Sequence, residues 1–186
     1  MGTKLIPSDT PICFLDRDGV VIKEVIRKDK TIGSIRDLID FKYCEGSKES
    51  LQKLTSSNIP IVIISNQPDF NRGQLSQRVL EQTNSRILND TGVLAICTCP
   101  HDSNTSCNCR KPKTGMIEYF EKCFKTPLSK SIVIGDRISD INMGLSKGLY
   151  PIHIDGNNSC VLDSHAHFKQ ISDCTNFVMS RFCENL

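Results

Sequence analysis

The sequence predicts an α/β fold with a mainly parallel sheet flanked by helices. Short apolar runs alternate with amphipathic stretches along the chain, and this alternation favours parallel strands joined by helical crossovers. The chain has 186 residues, a length typical of one domain with one hydrophobic core. We therefore expect a single domain over residues 1–186.

The first half contains three predicted strands and two helices. Ser76 is suited to cap the second helix and Gly92 to end it, because apolar residues recur at helical spacing between them. In chain order, the predicted elements are a strand at 12–15, a helix at 47–57, a strand at 60–64, a helix at 76–92 and a strand at 93–97.

The second half continues the alternation. Met116, Ile117 and Phe120 share one face of a helix, and Gly148 is suited to end a later one. In chain order, the predicted elements are a helix at 114–124, a strand at 132–134, a helix at 140–147, a strand at 151–154, a polar loop at 155–164, a weak strand at 168–171 and a helix capped by Ser172 or Asp173.

Polar residues or a cysteine follow four of these strands. They are Asp16, Ser65, Cys99 and Asp136. In parallel sheets, ligands bind beyond the carboxyl ends of the strands. We therefore expect these residues to surround one site.

Asp16 and Asp18 are two carboxylates separated by one residue where a buried strand ends. One carboxylate can attack phosphorus, while the other protonates the leaving oxygen and later deprotonates a water. Gly19 allows the chain to turn sharply after them. Taken alone, the motif is also compatible with a polar turn of solvated acids.

Two further motifs carry groups suited to phosphate. Ser65 and Asn66 place a hydroxyl and amides where they can hold phosphoryl oxygens. Lys111 can neutralise a phosphate, and Arg110 can bind substrate oxygens with its planar fork. A simple turn and a solvated basic pair are the alternatives for each motif by itself.

A cation site is predicted beside these groups. Asp136, Asp16 and the backbone carbonyl of Asp18 supply hard oxygen ligands suited to Mg²⁺. Asp140 either caps its helix or supports the metal from outside the ligand set, and both roles stay open.

The segment 97–111 predicts a zinc loop. Cys99, His101, Cys107 and Cys109 supply three thiolates and one imidazole, the complement of a closed tetrahedral zinc site. Bound Zn²⁺ would order the loop and, with it, the basic pair that follows. Free thiols are the alternative, and Cys97 in place of Cys99 is a variant.

Taken together, these motifs over roughly residues 11–148 resemble the haloacid dehalogenase superfamily of aspartate-nucleophile phosphatases. The resemblance implies a Rossmann-like sheet, and the chain leaves no room for a large cap domain. It also implies Asp16 as nucleophile, Asp18 as acid and base, and Mg²⁺ held by both with Asp136. Ser65 and Lys111 would contact the phosphoryl group.

The arrangement C-x-H…C-x-C-R-K-P is similar to that of the D-glycero-D-manno-heptose-1,7-bisphosphate phosphatases and the histidinol-phosphate phosphatases. Asn66-Gln67 and Arg72-Gly73 favour the heptose branch. The chain departs from it at Pro68-Asp69-Phe70 and at Arg137, a predicted substrate contact where lysine is common. The resemblance implies removal of the 7-phosphate of the heptose bisphosphate, in carbohydrate metabolism that feeds lipopolysaccharide. Histidinol-phosphate hydrolysis and an idle zinc-stabilised interaction module are the alternatives.

The segment 24–41 is the expected substrate-facing insert after the first strand. The expected partner is a small phosphorylated sugar or related metabolite.

Other classes of partner are not expected. The formal net charge is +2 and the basic and acidic residues are scattered along the chain, which argues against a nucleic-acid partner. No apolar run is long enough for a bilayer and residues 1–6 lack a signal peptide, so we expect a cytoplasmic protein that binds no membrane. The chain has little length to spare for a dimerisation element, so we expect a monomer.

The remaining histidines and cysteines receive no role. His165-Ala166-His167 is compatible with metal binding, but an H-x-H motif in a polar loop is more often solvated, and His153 is likewise assigned no role. The isolated cysteines are interpreted as buried small hydrophobes or inert thiols, and they are Cys13, Cys44, Cys123, Cys160, Cys174 and Cys183.

Overall fold

A computed structural model describes residues 7–155 and 163–183. The eight strands are β1 (Cys13–Leu15), β2 (Val25–Ile26), β3 (Ile32–Gly33), β4 (Ile61–Asn66), β5 (Ala95–Cys99), β6 (Ile132–Gly135), β7 (Tyr150–Ile154) and β8 (Ala166–Phe168). The helices are α1 (Ser47–Ser56), α2 (Pro68–Asn71), α3 (Gln77–Thr91), α4 (Gly115–Phe124), α5 (Ile138–Ser146) and α6 (Ile171–Cys183). Two 3₁₀ turns lie at Leu38–Asp40 and Leu128–Lys130.

Six strands form one parallel sheet in the order β5-β4-β1-β6-β7-β8. From β1 the chain builds outward through β4 and β5 on one side, and then through β6, β7 and β8 on the other. Such a reversal opens a crevice at the carboxyl end of the central strand. The predicted fold class is confirmed, and the crevice lies directly after Leu15.

Both faces of the sheet are covered, which explains the uninterrupted apolar strands. Cys13 and Leu15 pack into a core with α1, α3 and α6. Phe14 packs on the opposite face, where α4 and α5 supply Phe120 and Met143. Residues in β1 are therefore buried on either side, and the sheet gives a rigid base to the loops that follow its strands.

Several boundaries differ from the predicted ones. β4 continues to Asn66, and β5 continues to Cys99, so that both Cys97 and Cys99 lie in a strand. The weak strand ends at Phe168, and α6 begins at Ile171. Strand pairing and sheet packing, which local patterns do not encode, set these ends.

Two small elements were not predicted. β2 and β3 form an antiparallel hairpin within the expected insert 24–41, and α2 follows β4. Both are too short to show a hydrophobic period. The predicted polar loop at 155–164 lies partly outside the described residues, and Cys160 lies wholly outside them.

Candidate active site

The polar residues after the central strands border one cavity of about 550 Å³. Asp16 and Asp18 follow β1, Asn66 ends β4, and Arg110 and Lys111 follow the cysteine loop; all five line the cavity. Ser65 is buried, with 1% of its surface exposed, and contacts Asp18 of the lining. The shared carboxyl edge of the sheet thus brings together residues separated by about a hundred positions in sequence.

Lys111 is a buried cation at the base of this cavity. Its Nζ lies 2.6 Å from Asp16 Oδ1 and 2.7 Å from Asp140 Oδ1, and it donates to the carbonyl of Ile64 at 2.9 Å. Burial alone would lower the pKa of Lys111, but the charges of Asp140 and Asp16 outweigh it and raise that pKa above its ordinary value. The ammonium therefore stays charged.

Three buried carboxylates converge beside this ammonium. Asp16, Asp136 and Asp140 each offer an oxygen within 4.8 Å of the others, and none is more than 5% exposed. Burial, followed by repulsion from Asp16 and Asp140, raises the pKa of Asp136 to about 8. Burial raises the pKa of Asp140 to about 6 in spite of Lys111. Such a cluster favours a bound cation, and its oxygen ligands fit Mg²⁺.

Asp140 caps its helix, the first of the two roles that the sequence left open, and its support of the metal stays a prediction. One of its oxygens accepts a hydrogen bond from the backbone N–H of Arg137 at 3.2 Å, which caps α5. The other lies beside Lys111. The carboxylate cluster therefore contains Asp140 beside Asp16 and Asp136, and the backbone carbonyl of Asp18 stays a predicted ligand of Mg²⁺.

The side chain of Asp18 is held by neighbours and not by the cluster. Arg17 donates to its two oxygens from Nε and Nη2, at 3.1 and 3.3 Å. Gln67 donates to Asp18 Oδ2 at 2.6 Å, and Ser65 at 3.2 Å. Arg17 is fully buried and is fixed by Asn84 of α3 at 3.0 Å. These contacts fix the direction in which Asp18 faces the cavity.

Two glycines allow the carboxylates to approach the backbone. A Cβ on Gly19, whose φ is +92°, would lie 2.3 Å from Asp136 Oδ2. A Cβ on Gly135 would lie 2.2 Å from that of Asp140. Any other residue at either position would displace a carboxylate, so the glycines are part of the site's construction.

The side-chain amide of Asn66 positions Lys111 by binding the backbone of Lys111. Its amide oxygen accepts from the Lys111 N–H at 3.0 Å, and its amide nitrogen donates to the Lys111 carbonyl at 3.1 Å. This pairing ties the end of β4 to the segment after the cysteine loop. Contact between Asn66 and substrate stays a prediction.

The four expected zinc ligands lie together. Cys99 Sγ is 3.2 Å from Cys109 Sγ and 4.0 Å from Cys107 Sγ. Nδ1 of His101 lies 3.6 and 3.4 Å from the sulfurs of Cys99 and Cys109. Zn–S bonds of about 2.3 Å in a tetrahedron place sulfurs about 3.8 Å apart, so this cluster fits a zinc ion. Cys97 is not part of the cluster.

Three arginines that line the cavity converge on Asp69. Arg27 of the β2-β3 hairpin and Arg36 contact Asp69 Oδ2 at 3.1 and 2.7 Å, and Arg72 lies 3.6 Å from Asp69 Oδ1. Asp69 is 8% exposed and thus anchors the hairpin to α2. The unusual Pro68-Asp69-Phe70 stretch supplies this anchor.

The two remaining predicted substrate contacts also line the cavity. Arg110 donates from Nη1 to the carbonyl of His101 at 2.9 Å, which couples it to the cysteine loop. Arg137 forms an ion pair with Glu24, from the start of the insert. Both guanidinium groups are therefore oriented by neighbours.

Sequence reasoning missed Arg17, Gln67 and Asp69. An arginine between two aspartates looks solvent-exposed, and nothing in the local pattern indicated burial of Arg17. The Asn66-Gln67 motif was a signal for Gln67, and the departure at residues 68–70 was a signal for Asp69. Neither signal revealed that Gln67 contacts Asp18 or that Asp69 contacts arginines.

Residues 11–168 match the family described as Polynucleotide kinase 3 phosphatase. The chain belongs to this phosphatase family. It is 33% identical over 150 residues to the D-glycero-alpha-D-manno-heptose-1,7-bisphosphate 7-phosphatase of Photorhabdus laumondii, covering 74% of this chain and 78% of that protein. It is 32% identical over 143 residues to the Histidine biosynthesis bifunctional protein HisB of Campylobacter jejuni, covering 74% of this chain and 40% of that protein.

The fold of this phosphatase is also that of a solved structure. The D,D-heptose 1,7-bisphosphate phosphatase from B. bronchiseptica, complexed with magnesium and phosphate, matches with a TM-score of 0.79 and 22% identity over 92% of this chain and 99% of that one. The resemblance to the haloacid dehalogenase superfamily is confirmed, and the chain is an enzyme. Within residues 7–155 and 163–183 no helix has the length and apolar character needed to cross a membrane.

Proposed function

We propose that this phosphatase removes the 7-phosphate of D-glycero-D-manno-heptose 1,7-bisphosphate through an aspartyl-phosphate intermediate on Asp16. The observation that carries the proposal is one cavity lined both by the Asp16–Lys111 pair and by five arginines. Such a cavity suits a small substrate with two phosphates. The names of the Photorhabdus and B. bronchiseptica relatives support the same substrate.

In the first step, a carboxylate oxygen of Asp16 attacks phosphorus and the bond to the sugar oxygen breaks. Asp18 gives its proton to that departing oxygen, which releases the sugar as an alcohol. In the second step, Asp18 takes a proton from water, the water oxygen attacks phosphorus, and Asp16 leaves as a free carboxylate. Arg17 and Gln67 keep Asp18 oriented through both steps.

Lys111 supplies fixed positive charge 2.6 Å from Asp16 Oδ1. Phosphoryl transfer depends mainly on positioning and on neutralising the charge of the phosphoryl oxygens. Ser65 and Arg110 are proposed to contact those oxygens. Mg²⁺, held by Asp16, Asp136 and the Asp18 carbonyl with Asp140 beside them, would add charge neutralisation when bound.

Zn²⁺ is proposed as a structural ion in the cysteine loop. The four ligands of the cluster leave no open position, as expected for a structural site. Arg110 contacts the carbonyl of His101 and precedes Lys111 directly. The ion would therefore hold both basic residues in place.

Histidinol phosphate is the second candidate, favoured by the similarity to HisB. Apart from the catalytic Asp16, Asp18 and Lys111, the charged residues lining the cavity are five arginines and two aspartates. This excess of positive charge favours a second phosphate over the cationic amine of histidinol. The arginines are Arg27, Arg36, Arg72, Arg110 and Arg137.

We further propose a single-domain, cytoplasmic monomer. One parallel sheet carries every predicted catalytic residue, which supports a single domain. No disulfide bond joins the cysteines of the described residues, as is common in a reducing compartment. Sedimentation velocity tests the oligomeric state, and a dimer would contradict it.

The experiment is phosphate release with Mg²⁺ from four substrates: heptose 1,7-bisphosphate, heptose 7-phosphate, histidinol phosphate and an oligonucleotide with a 3′-phosphate. We expect the bisphosphate to have the highest kcat/KM, at least about tenfold above histidinol phosphate. Arg36→Met should raise KM for the bisphosphate more than for heptose 7-phosphate, while Arg86→Met, outside the cavity, should change neither. Preference for histidinol phosphate or the oligonucleotide would overturn the substrate assignment.

A further inference from the structure

Two histidines on neighbouring strands, His153 of β7 and His167 of β8, are register partners whose rings face each other. Nδ1 of His153 lies 3.0 Å from Nδ1 of His167. His153 is fully buried, whereas the side chains of His167 and Asp155 are 43% and 47% exposed. The pair therefore joins a buried ring to a solvent-exposed one, and ions can reach it from the side of His167.

The second nitrogen of each ring already faces an acceptor. Nε2 of His153 lies 3.3 Å from the carbonyl oxygen of Asp136, and Nε2 of His167 lies 3.1 Å from Asp155 Oδ2. Carbonyl and carboxylate oxygens accept and do not donate, so we assign the hydrogen of each neutral ring to Nε2. In the neutral rings, both Nδ1 atoms then bear lone pairs, and these point at each other.

Two facing lone pairs at this distance need a positive species between them. Histidines that bind metals usually donate their other N–H to a backbone carbonyl or a carboxylate, which is the arrangement of both rings here. Metal–nitrogen bonds of about 2.05 Å that meet at a right angle place the nitrogens about 2.9 Å apart. The observed separation therefore suits two adjacent ligands of one ion.

We infer that His153 and His167 form a binding site for a divalent transition metal, with Asp155 as third ligand or as the acceptor that orients His167. Imidazole ligands suit Zn²⁺, Ni²⁺, Co²⁺ and Cu²⁺ better than Mg²⁺. The three residues offer ligand atoms within 4.8 Å of one another. His153 is also in contact with the backbone of Asp136, so an ion here would brace a residue of the carboxylate cluster.

This site is separate from the cysteine cluster. Cys99 lies on β5 and His167 lies on β8, and these strands are the opposite edges of the six-stranded sheet. A count of bound ions can therefore distinguish the sites. The third histidine of the region, His165, packs against the ring of Tyr150 and offers a matched control two residues from His167.

The experiment is calorimetric titration of Ni²⁺ into zinc-loaded enzyme in saturating Mg²⁺. We expect one equivalent to bind in the wild type and in His165→Ala, and none in His167→Ala. Asp155→Asn should weaken binding by about 10- to 100-fold. Circular dichroism and phosphatase activity at saturating Mg²⁺ check that each variant is folded.

Absence of a binding equivalent in the wild type would overturn the inference and would favour a proton between the two rings. Equal loss of binding in His165→Ala and His167→Ala would also overturn it, because surface histidines would then bind the ion without the geometry described. Retention of full affinity in His167→Ala would do the same.

Discussion

Nζ of Lys111 lies 2.6 Å from Asp16 Oδ1, although 95 residues separate the two in sequence. The pair is almost entirely buried, and Asp140 shares the same ammonium. One cation therefore faces three carboxylates, counting Asp136. Burial together with repulsion among these carboxylates raises the pKa of Asp136 to about 8, and this shift underlies several of the predictions below.

Asp16→Asn should reduce phosphatase activity by at least about 10³-fold, because an amide cannot act as the nucleophile. The fold should persist, since the substitution keeps the shape of the side chain and removes one charge from a crowded cluster. Phosphate release and thermal unfolding measure the two effects.

The matched control is Asp37→Asn, which changes an aspartate at the start of the 3₁₀ turn, where its side chain accepts from the Ile39 N–H. It should retain wild-type activity. Substantial turnover in Asp16→Asn would exclude Asp16 as the nucleophile.

Lys111→Met should destabilise the metal-free protein by about 3 kcal/mol at pH 9, because buried carboxylates lose their counter-ion. The pKa values of Asp136 and Asp140 are raised to about 8 and about 6. At pH 5 both therefore hold protons, and the loss should be smaller. Urea unfolding at the two pH values gives the comparison.

Lys122→Met, on α4 and exposed, is the control and should alter the free energy of unfolding by less than about 0.5 kcal/mol. A destabilisation by Lys111→Met that is independent of pH would show that lost packing, and not unpaired charge, is the cause.

Mg²⁺ affinity should fall as the pH falls below about 8, by up to about tenfold per pH unit, because Asp136 must release its proton to bind the ion.

The stability of the metal-free protein should also depend on pH. The pKa of Asp136 in the folded state lies above its ordinary value of 3.8. The folded protein therefore holds a proton that the unfolded chain has released, and metal-free stability should decrease as pH rises from 5 to 9.

Calorimetric Mg²⁺ titration and urea unfolding at several pH values test both trends. Asp136→Asn should remove most of the pH dependence of metal-free stability. An Mg²⁺ affinity that stays constant between pH 6 and pH 9 would contradict the prediction.

Cys109→Ser should lower the zinc content below one equivalent and reduce kcat by about 10²-fold, because Arg110 and Lys111 follow this ligand directly. Elemental analysis and phosphate release are the measurements. Cys97→Ser and the exposed Cys123→Ser should keep both zinc and activity. Zinc loss in Cys97→Ser would place Cys97 in the ligand set.

Local patterns carried much of the fold and part of the site. The apolar runs at β1, β4 and β6 predicted buried parallel strands, and the shared edge of such strands predicted that Asp16, Ser65 and Asp136 would meet. The spacing of the cysteines and His101 predicted a cluster. Each of these features depends on residues close in sequence, whose pattern reports burial and turning directly.

The sequence by itself determined the parallel α/β architecture and which strand ends carry reactive groups. Only the tertiary structure decided what those groups contact. Burial of Arg17 against Asp18, the place of Asp140 in the carboxylate cluster and the facing rings of His153 and His167 all depend on how strands and loops from distant parts of the chain pack. Such contacts leave no periodic trace in sequence, because their energies arise from burial and pairing that exist only once the sheet has formed.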